Sequence, residues 1–320
     1  MTRTGDAGDR RPVLLFACQN LDTDAWLAAL RRELPEAEVR VWPEAGDLAD
    51  ITLAVVWRCP AGVLSRLPNL RGIFSLGAGV EAILADPQLP PAVPLVRLVD
   101  PGLAAGMNEF VTMRVLHYHR DMERYAACQR SHTWDPRVPP LPEERKVGIL
   151  GVGALGGLCA RTLAGLGFDV ASWSRGPRPI EGVRNYHGRA QLDEFLRRTE
   201  ILVCLLPLTA DTDSIIDWRT LAALPRGAFL INVARGRHVV DADLIEALDS
   251  GQLAGATLDV FREEPLPPQH PFWSHPKVAV LPHVSAMTQV TTASRTVAAN
   301  VRLLLAGRPV PDTVDRLRGY

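Results

Sequence analysis

Residues 146–174 read KVGILGVGALGGLCARTLAGLGFDVASWS, and this segment is the most informative part of the chain. It begins with a short apolar run, continues through a GxGxxG turn at 151–156 and a helical pattern, and ends in a second apolar run. The order of strand, glycine turn, helix and strand within about 30 residues is typical of a unit that binds a dinucleotide. The segment therefore predicts a parallel α/β sheet with a dinucleotide at the turn.

Each glycine of the turn has a distinct physical purpose. Gly151 permits a tight turn, Gly153 lets the backbone approach a pyrophosphate, and Gly156 lets the helix pack against the strand. The backbone amides of Ala154 and Leu155, at the start of the helix, are predicted to point at the phosphates. An ordinary glycine-rich turn is the alternative, but the strand before the turn and the helix after it favour phosphate binding.

The end of the second strand favours NADP(H) as the cofactor, with NAD(H) as the lesser alternative. A site that prefers NAD carries Asp or Glu there, because a carboxylate accepts hydrogen bonds from the ribose hydroxyls. This chain has Ser174 instead, followed by Arg175 and Arg178, whose guanidinium groups can bind a 2′-phosphate. Alternatively, the two arginines are solvated loop charges.

Similar apolar runs recur on both sides of this segment and fall into two sets. The first set covers 13–18, 38–42, 51–57, 70–76 and 93–99, and the second covers 147–150, 169–173, 201–205, 228–232, 255–258 and 278–281. Helical patterns separate most of these runs. The alternation predicts an α/β fold of two doubly wound, Rossmann-like lobes, with the active site in the cleft between them.

Two helical patterns define the predicted domain boundaries. A long pattern over 104–130 separates the two sets of strands, and another over 291–305 follows the final strand. We expect the last helix to return to the first lobe. The predicted substrate domain is therefore discontinuous, 1–102 with 288–320, and the dinucleotide-binding domain comprises 103–287.

Composition argues against several classes of function. The 320 residues hold 35 basic and 36 acidic side chains and are 47% hydrophobic, so a disordered chain, a nucleic-acid partner and a charged membrane partner all lose support. The five cysteines are scattered and form no CxxC pair, which predicts reduced thiols and no metal site. The polar start, and the lack of an apolar run of about 20 residues, predict a cytoplasmic protein without a membrane span.

Three residues with ionisable side chains follow strands of the second set. Arg235 ends FLINVARG, Glu264 lies in LDVFREEPLP, and His283 ends VAVLPH. Open α/β sheets bind their ligands at the carboxyl ends of the strands, so we expect these side chains to meet. Taken singly, each has a structural alternative, namely a surface charge, a solvated carboxylate or a capped histidine.

The ordered motifs of the chain resemble the D-isomer-specific 2-hydroxyacid dehydrogenases, and within them the glyoxylate/hydroxypyruvate reductase A type. The matching text is SLGAGVE, GVGALGGLCARTLAGLGFDVASWSR, CLLPLTADT, INVARGRHVVDADLIEALDSGQLAGATLDVF, EEPLP and LPHVSA. The resemblance implies an NADP-dependent reductase of a small 2-keto acid, in which Arg235, Glu264 and His283 are catalytic. Glu81 departs from the Asp that this type often carries.

The same resemblance implies binding residues and a partner. The backbone amides of Gly77, Ala78 and Gly79 would hold the substrate carboxylate. Trp57 would form one wall of the substrate pocket. Alternatively, it is an aromatic side chain of the core or of its rim. A homodimer would form through 104–130. The residues that would lie along the cofactor are Leu206, Pro207, Ala234 and Asp259, together with Met107 unless it simply packs in the core.

The chemistry of 2-keto acid reduction explains these side chains. A hydride reaches the carbonyl carbon, negative charge develops on the oxygen, and a protonated His283 can supply the proton. A Glu264 carboxylate favours the charged ring and fixes its orientation. Arg235 can hold the substrate carboxylate and the carbonyl oxygen. The alternative function is a dinucleotide-sensing binding protein on the same scaffold, like the C-terminal-binding-protein corepressors.

Overall fold

The computed structural model describes residues 11–319, and the chain forms two compact units. One unit comprises the residues up to Leu103 together with those from Thr288 onward, and the other comprises Ala104–Met287. The polar start of the chain, residues 1–10, lies outside the described residues, as does residue 320. Each unit contains its own parallel sheet, as the two sets of apolar runs predict.

The sheet of the first unit is parallel, and the strand at one of its edges is shorter than the sequence predicts. Its strands are β1 (Val13–Cys18), β2 (Glu38–Val41), β3 (Ile51–Trp57), β4 (Gly72–Ser75) and β5 (Leu95–Val96), in the order β2-β1-β3-β4-β5. The apolar run at 93–99 yields only the two residues of β5. Pro94 has no backbone N–H to give to the ladder, but its carbonyl accepts a hydrogen bond from the Ile73 amide of β4 at 2.9 Å, and β5 begins at the next residue.

The sheet of the second unit contains a strand that the sequence did not predict. Its strands are β6 (Lys146–Leu150), β7 (Asp169–Ser174), β8 (Arg184–His187), β9 (Ile201–Cys204), β10 (Ala228–Asn232), β11 (Leu253–Leu258) and β12 (Val278–Val280). The order is β12-β11-β10-β9-β6-β7-β8, so the direction of winding reverses between β6 and β9. Open α/β sheets bind ligands at such a reversal, and the glycine turn follows β6. The unpredicted strand is β8, at the edge of the sheet.

The helices match the predicted patterns with one correction. The single helical segment expected over 104–130 is two helices, because Asp121 adopts a left-handed φ of 58° and interrupts it. The helices are α1 (Thr23–Glu33), α2 (Glu81–Leu84), α3 (Pro101–His119), α4 (Met122–Arg130), α5 (Ala154–Gly165), α6 (Leu192–Arg198), α7 (Trp218–Ala223), α8 (Asp241–Asp249) and α9 (Val290–Leu305).

Helix α9 packs against the sheet of its own unit. A side chain on Gly72 of β4 would overlap Leu304 of α9, and Arg302 forms an ion pair with Glu36 at 2.7 Å. Strands β6, β9 and β10 of the other unit are almost entirely buried, which explains their nearly continuous apolar sequence. Within residues 11–319, no helix has both the length and the apolar character that crossing a membrane requires.

Candidate active site

The glycine turn has the shape that its sequence predicts. Gly151 has a φ of 94°, and a side chain on Gly156 would overlap the carbonyl oxygen of Gly151. Gly153 is the N-cap of α5, and a Cβ there would meet no protein atom within 4 Å. Conformation and packing therefore require glycine at 151 and 156, whereas neither requires it at 153. A glycine at 153 fits the close backbone approach of a pyrophosphate.

The start of α5 supplies the donors for this part of the site. The helix begins at Ala154 and continues through Leu155. The first amides of a helix have no partner within it, and they lie at the positive end of its dipole. They suit an anionic group such as the pyrophosphate of a dinucleotide.

The loop after β7 presents two arginines beside a buried serine. Ser174 donates a hydrogen bond from its hydroxyl to the carbonyl of Gly176 at 2.8 Å. Arg175 and Arg178 are exposed, and the side-chain amide of Asn185 holds the Arg178 backbone through two hydrogen bonds. Asn185 belongs to β8, so the unpredicted strand shapes this loop. Two guanidinium groups at this position fit a 2′-phosphate.

His283 and Glu264 form a hydrogen-bonded pair. Nδ1 of His283 lies 2.8 Å from Oε2 of Glu264, and Oε1 accepts a hydrogen bond from the Phe261 amide at 3.0 Å. Burial alone would raise the pKa of the Glu264 carboxyl, but the hydrogen bond from His283 opposes this. With the Phe261 amide and the charge of Arg235, it holds the pKa of Glu264 below its ordinary value. Glu264 is therefore a carboxylate at neutral pH.

Asp259 holds the loop that carries His283. Its side chain has no exposed surface, and its two oxygens accept hydrogen bonds from the amides of Val284 at 2.7 Å and Ser285 at 2.9 Å. His283 has a left-handed φ of 57°, which is uncommon for residues other than glycine. The sequence places Asp259 along the cofactor. The structure shows a different role for both oxygens, and the cofactor contact stays a prediction.

Arg235 lies in a turn that Asn232 organises. The Asn232 side-chain amide donates to the Arg235 carbonyl at 3.0 Å. The next residue, Gly236, packs so closely on Phe261 that any side chain would overlap its backbone. The Arg235 loop therefore touches the loop that contains Glu264. Asn232 was not among the predicted site residues, although an Asn just before a turn is a recognisable signal for a local side-chain hydrogen bond.

The other residues predicted near the cofactor lie in the same unit. Leu206 and Ala234 are buried just beyond the ends of β9 and β10. The Pro207 carbonyl accepts a hydrogen bond from the Thr212 hydroxyl at 2.7 Å. Met107 is buried in the core of this unit, which agrees with the packing role that the sequence left open.

The residues predicted to bind substrate lie in the first unit. Trp57 ends β3, and its ring lies so close to Gly77 that a side chain on Gly77 would overlap it. The Gly77 amide donates to the hydroxyl of Ser75 at 3.1 Å, so this donor is already engaged. Ala78 and Gly79 follow in the same turn. Their binding of a substrate carboxylate stays a prediction.

Comparisons with known proteins give one consistent family. A family model for the D-isomer specific 2-hydroxyacid dehydrogenase, NAD binding domain, matches residues 112–285. The chain is 43% identical over 312 residues to the glyoxylate/hydroxypyruvate reductase A of Serratia proteamaculans, covering 96% of this chain and 99% of that protein.

Solved structures agree in both sequence and shape. A D-isomer specific 2-hydroxyacid dehydrogenase from Xanthobacter autotrophicus Py2, in complex with NADPH and MES, has a TM-score of 0.94 at 41% identity and covers 97% of this chain and 100% of its own. The NADPH-dependent glyoxylate/hydroxypyruvate reductase from Sinorhizobium meliloti, in complex with NADP and sulfate, has a TM-score of 0.91 at 41% identity, with the same coverage.

Proposed function

Because the chain belongs to the D-isomer-specific 2-hydroxyacid dehydrogenase family, we propose that it reduces glyoxylate, hydroxypyruvate or a similarly small 2-keto acid with NADPH. It is an NADP-dependent oxidoreductase of this family. The observation that carries the choice of reaction is the pair of His283 and Glu264 near the charge of Arg235. These groups can deliver a proton and bind an anion, which are the two tasks that reduction of a keto acid leaves to the protein.

The second unit supplies groups that fit the cofactor. The turn at 151–156 would hold the pyrophosphate, and Arg175 and Arg178 would hold the 2′-phosphate. NADPH, when bound, supplies the hydride. Two relatives that are 41% identical to the chain were solved with NADPH or NADP, which supports this assignment.

His283 is proposed as the proton donor, through its Nε2 atom. In the charged ring, the Nδ1 proton is held by Glu264 at 2.8 Å, so the Nε2 proton is the one available for transfer. When the hydride adds to the carbonyl carbon, the electron pair of the carbonyl bond moves to the oxygen. That oxygen then takes the Nε2 proton and becomes the hydroxyl of the product. His283 is left neutral, with its remaining proton on Nδ1.

Arg235 is proposed to orient the substrate. Its guanidinium is planar and permanently charged, so it can bind the substrate carboxylate and stabilise the developing negative charge on the carbonyl oxygen. Both effects favour the transition state over the free keto acid. A dinucleotide-sensing binding protein, the alternative function, loses support because the relatives that match the chain almost end to end are named as reductases.

The test of the proposed function is the consumption of NADPH with a panel of 2-keto acids of increasing size. Wild-type protein is expected to oxidise NADPH with glyoxylate or hydroxypyruvate. His283→Ala is expected to lose roughly a hundredfold to ten-thousandfold in rate, the usual cost of removing a positioned general acid. His187→Ala is the matched control, because His187 is exposed on β8. A flat trace with every keto acid, or near-normal turnover by His283→Ala, would contradict the proposal.

The protein is further proposed to be a homodimer that associates through α3, α4 and the segment that follows. Two side chains of that segment, Trp134 and Val138, are 95% and 96% exposed, and large exposed apolar side chains in one region mark interaction surfaces. A second copy of the chain can bury the same surface symmetrically. The exposed apolar side chains of this region are Met113, Leu116, Met122, Trp134, Val138 and Leu141.

Light scattering coupled to size-exclusion chromatography tests the homodimer. Wild-type protein is expected to elute with twice the mass of one chain, and Trp134→Ser is expected to shift the equilibrium towards the monomer. A monomeric wild-type protein at micromolar concentration would contradict the proposal. The cytoplasmic location stays a prediction.

A further inference from the structure

His238 is a fully buried histidine next to the proposed site. It closes the short 3-10 helix Gly236–His238 that follows Arg235, and its side chain has no exposed surface. A buried imidazole destabilises the fold unless its nitrogens find hydrogen-bond partners. The residues that surround this ring therefore determine its protonation state and its role.

The contacts of the ring define one tautomer. Nδ1 lies 3.2 Å from the backbone nitrogen of Arg235, and Nε2 lies 3.3 Å from the carbonyl oxygen of Pro207. The Arg235 carbonyl is also 3.1 Å from Nδ1, but it already accepts from the Asn232 side chain at 3.0 Å and from the His238 amide at 3.2 Å. The Arg235 amide needs an acceptor, and Nδ1 can be that acceptor only when it carries no proton. The neutral ring with its proton on Nε2 satisfies both the Arg235 amide and the Pro207 carbonyl.

Those two hydrogen bonds join two loops of the second unit. Arg235 follows β10 and Pro207 follows β9, and these strands are neighbours in the sheet. The Arg235 loop is proposed to hold the keto acid, whereas the Pro207 loop is predicted to lie along the cofactor. One imidazole therefore links the two binding loops.

We propose that His238 is a positioning residue that fixes the Arg235 backbone relative to the Pro207 loop, so that the guanidinium meets the keto-acid carboxylate in the productive orientation. The inference rests on the proposed function of Arg235. Neutral His238 takes no part in proton transfer. Its contribution is to hold a backbone amide whose displacement would move the Arg235 side chain.

Two substitutions separate the two hydrogen bonds. In His238→Asn, the amide oxygen can replace Nδ1 as the acceptor for Arg235, but the side chain is too short to reach Pro207. In His238→Gln, the amide nitrogen can replace Nε2 as the donor to Pro207, and the acceptor for Arg235 is lost. A single hydrogen bond contributes about 1 kcal/mol net, and about 1.4 kcal/mol is tenfold in affinity, so effects of about five- to tenfold are expected.

The expected readout is a split between the two Michaelis constants. His238→Gln is expected to raise KM for the keto acid about five- to tenfold and to leave KM for NADPH within about twofold. His238→Asn is expected to do the reverse, with the larger effect on NADPH. Equal changes in both constants for both variants, or no change in either, would overturn the inference, because a purely structural role predicts no such split.

A second buried histidine provides the matched control. His119 is 5% exposed in the same unit and packs its ring edge-on against Phe168 at 4.9 Å between centroids. His119→Asn and His119→Gln are expected to lower the thermal midpoint of unfolding without altering either Michaelis constant.

The test also distinguishes failure of the inference from failure of the proposed function. If wild-type protein reduces no keto acid, the proposed function fails, and NADPH affinity measured by fluorescence still compares the two His238 variants. If both variants fail to fold, nitrogen NMR of labelled histidine reads the tautomer in the wild-type protein. A ring protonated on Nδ1 would then overturn the inference.

Discussion

Replacement of Glu264 by Gln removes one negative charge beside His283 while nearly preserving the shape of the side chain. In the wild-type protein, the carboxylate holds the ring through Oε2 at 2.8 Å and is itself held by the Phe261 amide at 3.0 Å. The pKa of Glu264 is lowered in the folded protein, so its charge persists across the neutral range and is lost only as the pH falls through that lowered value. The substitution therefore acts on the ring over the whole range in which the enzyme is assayed.

The size of the effect follows from the charges and their exposure. Two unit charges about 4 Å apart attract each other by about 1 kcal/mol in water and by about 4 kcal/mol at an effective dielectric constant of 20. The side chains of His283 and Glu264 are 46% and 28% exposed, so solvent screens the pair. A value of about 1 to 2 kcal/mol remains, and one pH unit corresponds to 1.36 kcal/mol. Loss of the carboxylate should therefore move the pH–rate profile of reduction by about one pH unit.

The direction of the shift is towards lower pH. Reduction needs the charged ring as the acid, so the rate falls as the pH rises and the ring loses its proton. Without the carboxylate, the charged acid loses a stabilising attraction, so the fall in rate begins at lower pH. Some activity should remain at acidic pH, because Nε2 of His283 still carries the transferable proton.

The assay is kcat/KM for the keto acid at saturating NADPH, measured from about pH 5 to pH 9, the range in which a histidine titrates. Glu263→Gln is the control, because it removes the same charge from the preceding, exposed residue. Its profile should superimpose on that of the wild type. If the Glu264→Gln profile also superimposes on the wild-type profile, Glu264 does not support the acid, and another proton donor must be sought.

Four further perturbations test other parts of the structure. Arg175→Ala is expected to raise KM for NADPH at least about tenfold more than KM for NADH, since a charged hydrogen bond to phosphate is lost, and equal effects would exclude a role in 2′-phosphate binding. Gly156→Ala is expected to prevent folding or to lower the thermal midpoint sharply, because its Cβ would overlap the carbonyl of Gly151. Gly153→Ala should fold normally and lose affinity for NADPH in a fluorescence titration, and unchanged affinity would count against the phosphate site. Deletion of residues 291–320 removes all of α9 except Val290 and is expected to yield insoluble protein, because α9 packs on β4, whereas a soluble, fully active truncated protein would contradict that packing.

Short-range patterns predicted most of the architecture, and the exceptions have local explanations. Runs of buried apolar residues mark the central strands because a parallel sheet is covered on both faces. The edge strand β8 carries no such apolar run, because Tyr186 alone among its four residues is buried. The break at Asp121 was also missed, since the chain has neither Gly nor Pro there to mark the end of a helix.

Arg235, Glu264 and His283 were predicted to be site residues from their positions after strands and from the family resemblance, and their catalytic roles stay a prediction. Each follows a strand of one parallel sheet, and the carboxyl ends of parallel strands meet at one edge. The glycines at 151–156 were evident for a similar reason, because turn geometry and helix packing act between residues close in sequence. For these features, the constraint and the residue that meets it lie within one short segment.

Only the tertiary structure revealed how the site residues are held. Asp259 binds the amides that follow His283, and His238 joins Arg235 to Pro207. These contacts depend on loops that are distant in sequence and come together only when the sheet has formed. A hydrogen bond between such loops is directional and requires a particular separation of a few ångströms, and no spacing of residues along the chain encodes that separation.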